Sequence, residues 1–177
     1  HTAEDHPQHS ADVMAKTKAR YGFVPNLLGA LSEAPVVAQA YMDIGTALKA
    51  SSLTDEELHV AWFTVNVYHD CDYCMAAHTG IAKLDGVSEE VIQSSRDGSN
   101  YSDPRLQALK EFVIAMLEKR GWVSEETIDR FLQAGFTKAN VHEVTLVIAH
   151  KTLSNYTNHI VHTPVDDRLD RKSTPSE

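Results

Sequence analysis

The sequence predicts an all-α fold in one domain, and three observations carry that reading. Helix-capping signals recur along the chain, at Ser10, Thr54, Ser88, Asp103, Ser124 and Thr137. Apolar residues repeat at helical spacing in the stretches that follow them. No run alternates apolar and polar residues as a strand would, and the connections are short, so no sheet is expected.

Taken in order, residues 1–9 are polar and read as a loose arm. A helix is expected from an N-cap at Ser10 to Arg20, stopping at Tyr21-Gly22. Phe23-Val24-Pro25-Asn26 reads as a turn before a short apolar segment, Leu27 to Leu31. Pro35 suits a first helical turn, and Val37, Tyr41, Ile44 and Leu48 continue that helix to Ala50. Gly45 inside it weakens the helix or permits close packing. Thr54-Asp55-Glu56-Glu57 is a capping box, with Thr54 as N-cap and Glu57 at the third helical position. The helix it opens should reach His69. It is apolar on several sides (Leu58, Val60, Trp62, Phe63, Val65), the pattern of a central buried helix.

The next helix begins at Asp70 or Cys71 and ends near Gly86, a C-terminal stop. Ser88 caps a short helix ending before Gly98. Asp103-Pro104 starts one that Gly121 ends, and Ser124 starts one that Gly135 ends. Thr137 opens the last long helix, through Val161, closed by Thr163-Pro164. The tail 166–177 is charged and expected to be solvated. The domain is therefore the whole chain 1–177, with a core over 51–120.

Composition narrows the function. At 42% hydrophobic, 177 residues can bury a core without cross-links. The net charge is −9 and the basic residues are scattered, so nucleic acid is not an expected partner. No apolar run is long enough for a membrane span, and no basic-then-apolar leader opens the sequence. Two cysteines are too few for a secreted disulfide framework, and a cytoplasmic location is expected.

Those two cysteines stand in Cys71-Asp72-Tyr73-Cys74-Met75-Ala76-Ala77-His78. At about 100° per residue, Cys71 and His78 fall within roughly 20° of each other on a helix, and Cys74 within about 60° of Cys71. Two thiols and an imidazole on one face can form a redox disulfide or bind a metal. A helix N-terminus and a neighbouring imidazole favour the reactive thiolate. A Cys-x-x-Cys in a βαβ setting would indicate a thioredoxin-type motif, but no such setting is present. His78 is placed to accept the thiol proton. His69, at the junction before the motif, reads as a cap or a solvent-facing residue.

The segment resembles the core of the alkylhydroperoxidase D-like, or carboxymuconolactone decarboxylase-like, family. Leu53-Thr54-Asp55-Glu56-Glu57, the Cys71-x-x-Cys74-x-x-x-His78 core and the small pair Ala76-Ala77 carry the likeness. Tyr21-Gly22-Phe23-Val24-Pro25-Asn26-Leu27 and Leu153-Ser154-Asn155-Tyr156-Thr157-Asn158-His159 are similar to flanking stretches of peroxidase-related members. The resemblance implies an all-helical fold forming trimers or hexamers, and a thiol-dependent hydroperoxide reductase with no cofactor. In that chemistry Cys74 attacks the peroxide and becomes a sulfenic acid. Cys71 then condenses with it to a disulfide, and a dithiol such as a lipoyl-type carrier restores the pair. His78 matches the histidine that helps deprotonate the attacking thiol.

Two positions depart from the family pattern. His59 stands where the family has a relay glutamate, and an imidazole there can pass a proton or simply face an interface. Tyr73 stands between the cysteines, where a histidine is usual, and serves as a hydrogen-bond donor more than a base. Glu57 lies about 200° from His59 on the same helix and belongs to the capping box. The polar stretch 155–159 is assigned to packing or assembly, and His142 and His150 to exposed or interface faces. The rival readings are a lactone decarboxylase, a zinc-binding module using Cys71, Cys74 and His78 with His59 or His69, and an assembly protein with a vestigial pair.

Overall fold

The computed structural model describes residues 10–167 and 169; the arm expected over residues 1–9 lies outside them. Among the described residues there is no strand, and the chain is all-α. The helices are α1 Ala11–Tyr21, α2 Asn26–Leu31, α3 Pro35–Lys49, α4 Asp55–Tyr68, α5 Asp72–Leu84, α6 Glu89–Arg96, α7 Pro104–Glu118, α8 Glu125–Gln133 and α9 Lys138–Val161. No described helix is long and apolar enough to cross a membrane.

Local chemistry sets most of the ends. Thr54 accepts from the Glu57 N–H while the Glu57 side chain accepts from the Thr54 N–H, which completes the capping box of α4. Ser88, Asp103, Ser124 and Thr137 each accept a backbone N–H in the first turn of the helix they precede. Ser10 does not cap its helix. Its hydroxyl donates instead to the Ser32 carbonyl 2.6 Å away, tying α1 to the end of α2. Gly22 ends α1 at φ 76°, a conformation costly for residues with a Cβ.

The helix α4 is the axis of the molecule, buried without interruption from Glu57 to Asn66. It packs against α5, α6, α7 and α9. On one side Leu58, Phe63, Leu109, Phe112, Phe131 and Val144 join the larger apolar core. On the other, Leu27, Leu28 and Leu31 of α2 and Ala38 of α3 pack with Cys71, Tyr73 and Cys74 in a second cluster. The long helix α9 runs past α4, α3 and α2, so its middle reaches the cysteine motif.

The tail expected to be solvated from Asp166 does not begin that way. Asp166 is buried, and its carboxylate accepts from the Tyr73 hydroxyl at 2.6 Å and from the Asn26 N–H at 3.1 Å. A carboxylate with such donors is stable away from water, and an acidic composition does not reveal them.

Candidate active site

The cysteines stand where α4 hands over to α5. Asp70, in the left-handed region at φ 54°, turns the chain between them. Cys71 is the N-cap of α5 with extended backbone, and Cys74 is its third helical residue. The shared helical face expected for Cys71 and His78 therefore begins one residue late: Cys74 and His78 lie on the helix, Cys71 just before it. Both cysteines are free thiols and both are buried.

A chain of amides holds this junction. The Asn66 carbonyl accepts the Cys71 N–H at 3.0 Å, and Asn66 Nδ2 reaches the Cys74 carbonyl at 3.5 Å. Asn155 Nδ2 donates to Asn66 Oδ1 at 3.1 Å, and its Oδ1 accepts from His69 Nδ1 at 3.0 Å. His69 closes α4 and orients these amides.

The polar wall comes from α9. Asn158 Nδ2 donates to Cys74 Sγ at 3.2 Å and lies 3.8 Å from Cys71 Sγ. Ser154 Oγ lies 3.8 Å from Cys74 Sγ. Lys151 is fully buried, with Nζ 2.8 Å from His78 Nε2. The polar stretch assigned to packing thus lines the site through Asn158, while Asn155 braces it and Tyr156 and His159 stay exposed. Lys151, Ser154, Asn155 and Asn158 recur at i, i+3, i+4 and i+7, the spacing of a buried stripe, and that spacing is the signal for them in the sequence.

The environment splits the two thiols. The Cys71 hydrogen bond, then the positive charge of Lys151 and the contact with Ser154, hold the Cys74 thiol well below its usual range, against the effect of burial. The same sulfur–sulfur hydrogen bond, with burial, pushes Cys71 up. Of the two thiols, Cys74 is shifted toward the thiolate and Cys71 away from it.

Burial pushes His59, His78 and His150 toward the neutral form. Burial, then Lys151, depresses His78 well below the ordinary imidazole range. Its Nε2 faces Lys151 and its Nδ1 has no partner among the described residues, so neither nitrogen is bonded to a sulfur. His59 is fully buried, with Nε2 2.8 Å from Asp85 Oδ2; burial lowers it, and Asp85 only partly offsets that. The His59 and His78 rings lie 6.2 Å apart, both against Trp62. Asp85 in turn binds Lys49 at 2.6 Å near the surface. His150, expected on an exposed or interface face, is buried and stacked on Tyr41 at 4.3 Å, because it follows the inner stripe of α9. His142 is exposed, as expected. Glu57 serves its cap and binds Arg105, away from the thiols.

A cavity of about 340 Å³ opens onto Cys74, His78 and Lys151. Phe23, Leu27, Tyr41 and Ile81 contribute its mainly apolar wall, a size and lining suited to a small organic molecule. Tyr73, pushed up by burial and then by Asp166, stays a neutral phenol at its edge. No group of three His, Cys, Asp or Glu side chains among the described residues is placed to hold a metal ion. The Nε2 of His78 faces Lys151 and not the two sulfurs.

Residues 35–102 match the carboxymuconolactone decarboxylase family model. Comparison with curated proteins finds no match. Among solved structures, the alkylhydroperoxidase AhpD core of an uncharacterized peroxidase-related protein from Ralstonia eutropha JMP134 superposes with a TM-score of 0.83 at 19% identity, covering 100% of this chain and 95% of that one. A peroxidase-related protein from Silicibacter sp. TM1040 gives 0.78 at 18% identity, over 94% and 90%. The debrominase Bmp8, in complex with 2,3,4-tribromopyrrole, gives 0.74 at 16% identity, over 94% and 89%. At these identities the superpositions establish the fold.

Proposed function

We propose that this chain, a member of the carboxymuconolactone decarboxylase-like and alkylhydroperoxidase D-like family through residues 35–102, is a thiol-dependent hydroperoxide reductase. One observation carries the reading: a buried Cys74, shifted toward the thiolate by Cys71 and Lys151 and 3.2 Å from Asn158 Nδ2, at the end of an apolar cavity. The Cys74 thiolate attacks the terminal peroxide oxygen, the O–O bond breaks, and the sulfur becomes a sulfenic acid. The departing alkoxide takes its proton from the Lys151–His78 pair, which lines the same cavity. The Cys71 thiol then attacks the sulfenic sulfur, water leaves, and a disulfide forms. A dithiol restores both thiols.

His59 with Asp85 takes the part of the family's relay glutamate. Its Nε2 meets a carboxylate that reaches solvent, so a proton can be exchanged between the buried imidazoles and the surface.

The test is a free-thiol count on reduced protein before and after one equivalent of an alkyl hydroperoxide. Loss of two thiols, reversed by dithiothreitol, is expected. Cys74→Ser abolishes peroxide consumption, and Cys71→Ser stops after one turnover with a sulfenic acid at Cys74. Wild-type turnover in both variants would overturn the mechanism.

A second reading shares the thiols. The cavity is apolar enough for a halogenated aromatic ring, and the fold is that of a debrominase. Bromide release from a brominated pyrrole, with loss of the same two thiols, would favour it over peroxide reduction.

A further inference from the structure

The two cysteines line different cavities. Cys74 lines the apolar cavity described above. Cys71 lines a separate one of about 100 Å³, bordered by Asn66, Val67, Asp70, Asp72 and Arg96. The two share no lining residue. The first is apolar and large enough for an organic substrate. The second is small and edged by charged groups, with Asp70 and Asp72 exposed and the strained backbone of Asp70 at its rim.

We infer that the oxidised pair is re-reduced from this second side, by a slender dithiol that enters between Val67 and Asp72 and attacks Cys71. The inference rests on the reading of Cys71 and Cys74 as a redox couple. Exchange chemistry gives the direction. A thiolate attacks one sulfur of a disulfide while the other departs, and the sulfur with the lower thiol pKa departs faster. Cys74 is that sulfur: Asn158 Nδ2 donates to it at 3.2 Å, against 3.8 Å to Cys71, and Lys151 lines its cavity and not that of Cys71. The attacked sulfur is then Cys71, and the attacker has to arrive where Cys71 is reached. Substrate occupying the Cys74 cavity leaves that approach open.

The steps balance. One thiolate of the dithiol bonds to Cys71 Sγ, the Cys71–Cys74 bond breaks, and Cys74 leaves as thiolate. The second thiol of the reductant attacks its own bonded sulfur and releases Cys71. The reductant ends as a disulfide, having supplied two electrons.

The test starts from protein oxidised with diamide, so that it does not depend on the protein reacting with peroxide. A single addition of 2-mercaptoethanol is quenched with iodoacetamide and mapped by mass. The mercaptoethanol adduct is expected on Cys71 and the alkyl group on Cys74; the reverse pattern would overturn the assignment. Stopped-flow reduction by dithiothreitol supplies a second arm. Val67→Trp, at an exposed position, should slow it by about fivefold or more, whereas Ile81→Trp in the other cavity should leave it near the wild-type rate. Slowing by Ile81→Trp alone would show that the reductant shares the substrate's mouth. If diamide-oxidised protein follows these expectations and peroxide removes no thiols, the entrance stands and the peroxidase reading falls.

Discussion

The helix α4 has two sides, and they are built by opposite rules. Toward α7 and α8 it meets an apolar core in which Phe112, Phe131 and Phe136 stack, with centroids 4.1 and 4.3 Å apart. Toward α5 and α9 it meets a buried lysine, neutral histidines, amides and two thiols. On the first side, stability comes from area removed from water and from close packing. On the second, each buried polar group costs free energy that only some partners offset, and His59 Nδ1, Trp62 Nε1 and His78 Nδ1 have none among the described residues. One half of the molecule is arranged to hold the chain together. The other is arranged around the charge of one sulfur, at the expense of stability.

That contrast can be broken by experiment. The largest effect is expected from Phe131→Ala, which empties the middle of the aromatic stack and should cost about 3–5 kcal/mol of unfolding free energy. Urea unfolding measures it, and the alkylation rate of Cys74 in the folded fraction should not change. A parallel fall in thiol reactivity would show that the two sides are coupled.

Acid should act on the other side. Burial, followed by Lys151, holds His78 well below the ordinary imidazole range and brings His150 to about 3. The unfolded chain takes up these protons near pH 6.5 and the folded chain does not. The unfolded state therefore binds more protons, and stability falls as pH drops below about 6.5. For two such groups, at up to about 1.4 kcal/mol per pH unit each, the loss from pH 7 to 5.5 is roughly 2–3 kcal/mol. His150→Gln should remove about half of that two-histidine loss, while His59 and Cys74, also lowered in the fold, add to the slope in the same direction. Urea midpoints that stay level down to pH 5 would show that the histidines are protonated in the fold.

The smallest effect on stability and the clearest on chemistry is expected from Lys151→Met. An apolar residue of similar length is often tolerated where a buried charge stood. The folded state should lose little, although His78 Nε2 gives up a partner. Cys74 loses its cation, so its reactivity should set in at higher pH, and alkylation at neutral pH should slow by about tenfold or more. Unchanged alkylation with unchanged stability would remove Lys151 from the site.

Much of this was legible in the chain. The capping box at Thr54 and Glu57, the caps at Ser88, Asp103, Ser124 and Thr137, and the glycine stops are local, and local hydrogen bonds decide them. The motif from Cys71 to His78 was visible for the same reason. Ser10 misled because its hydroxyl had a better acceptor in Ser32, 22 residues away. Asp166 misled because its donors, Tyr73 and Asn26, are 93 and 140 residues distant.

What the sequence by itself determined is the helical class, most helix ends, and which short segment holds both thiols and an imidazole. Those follow from propensity, periodicity and bonds spanning a few residues. Which thiol is the thiolate was decided by the tertiary structure. The Cys71 hydrogen bond comes from within the motif, but Lys151, Ser154 and Asn158 reach Cys74 from 77 to 84 residues away, because α9 packs along α4 and α5. Electrostatics and desolvation depend on distance through space, and the chain sets that distance only once it has folded.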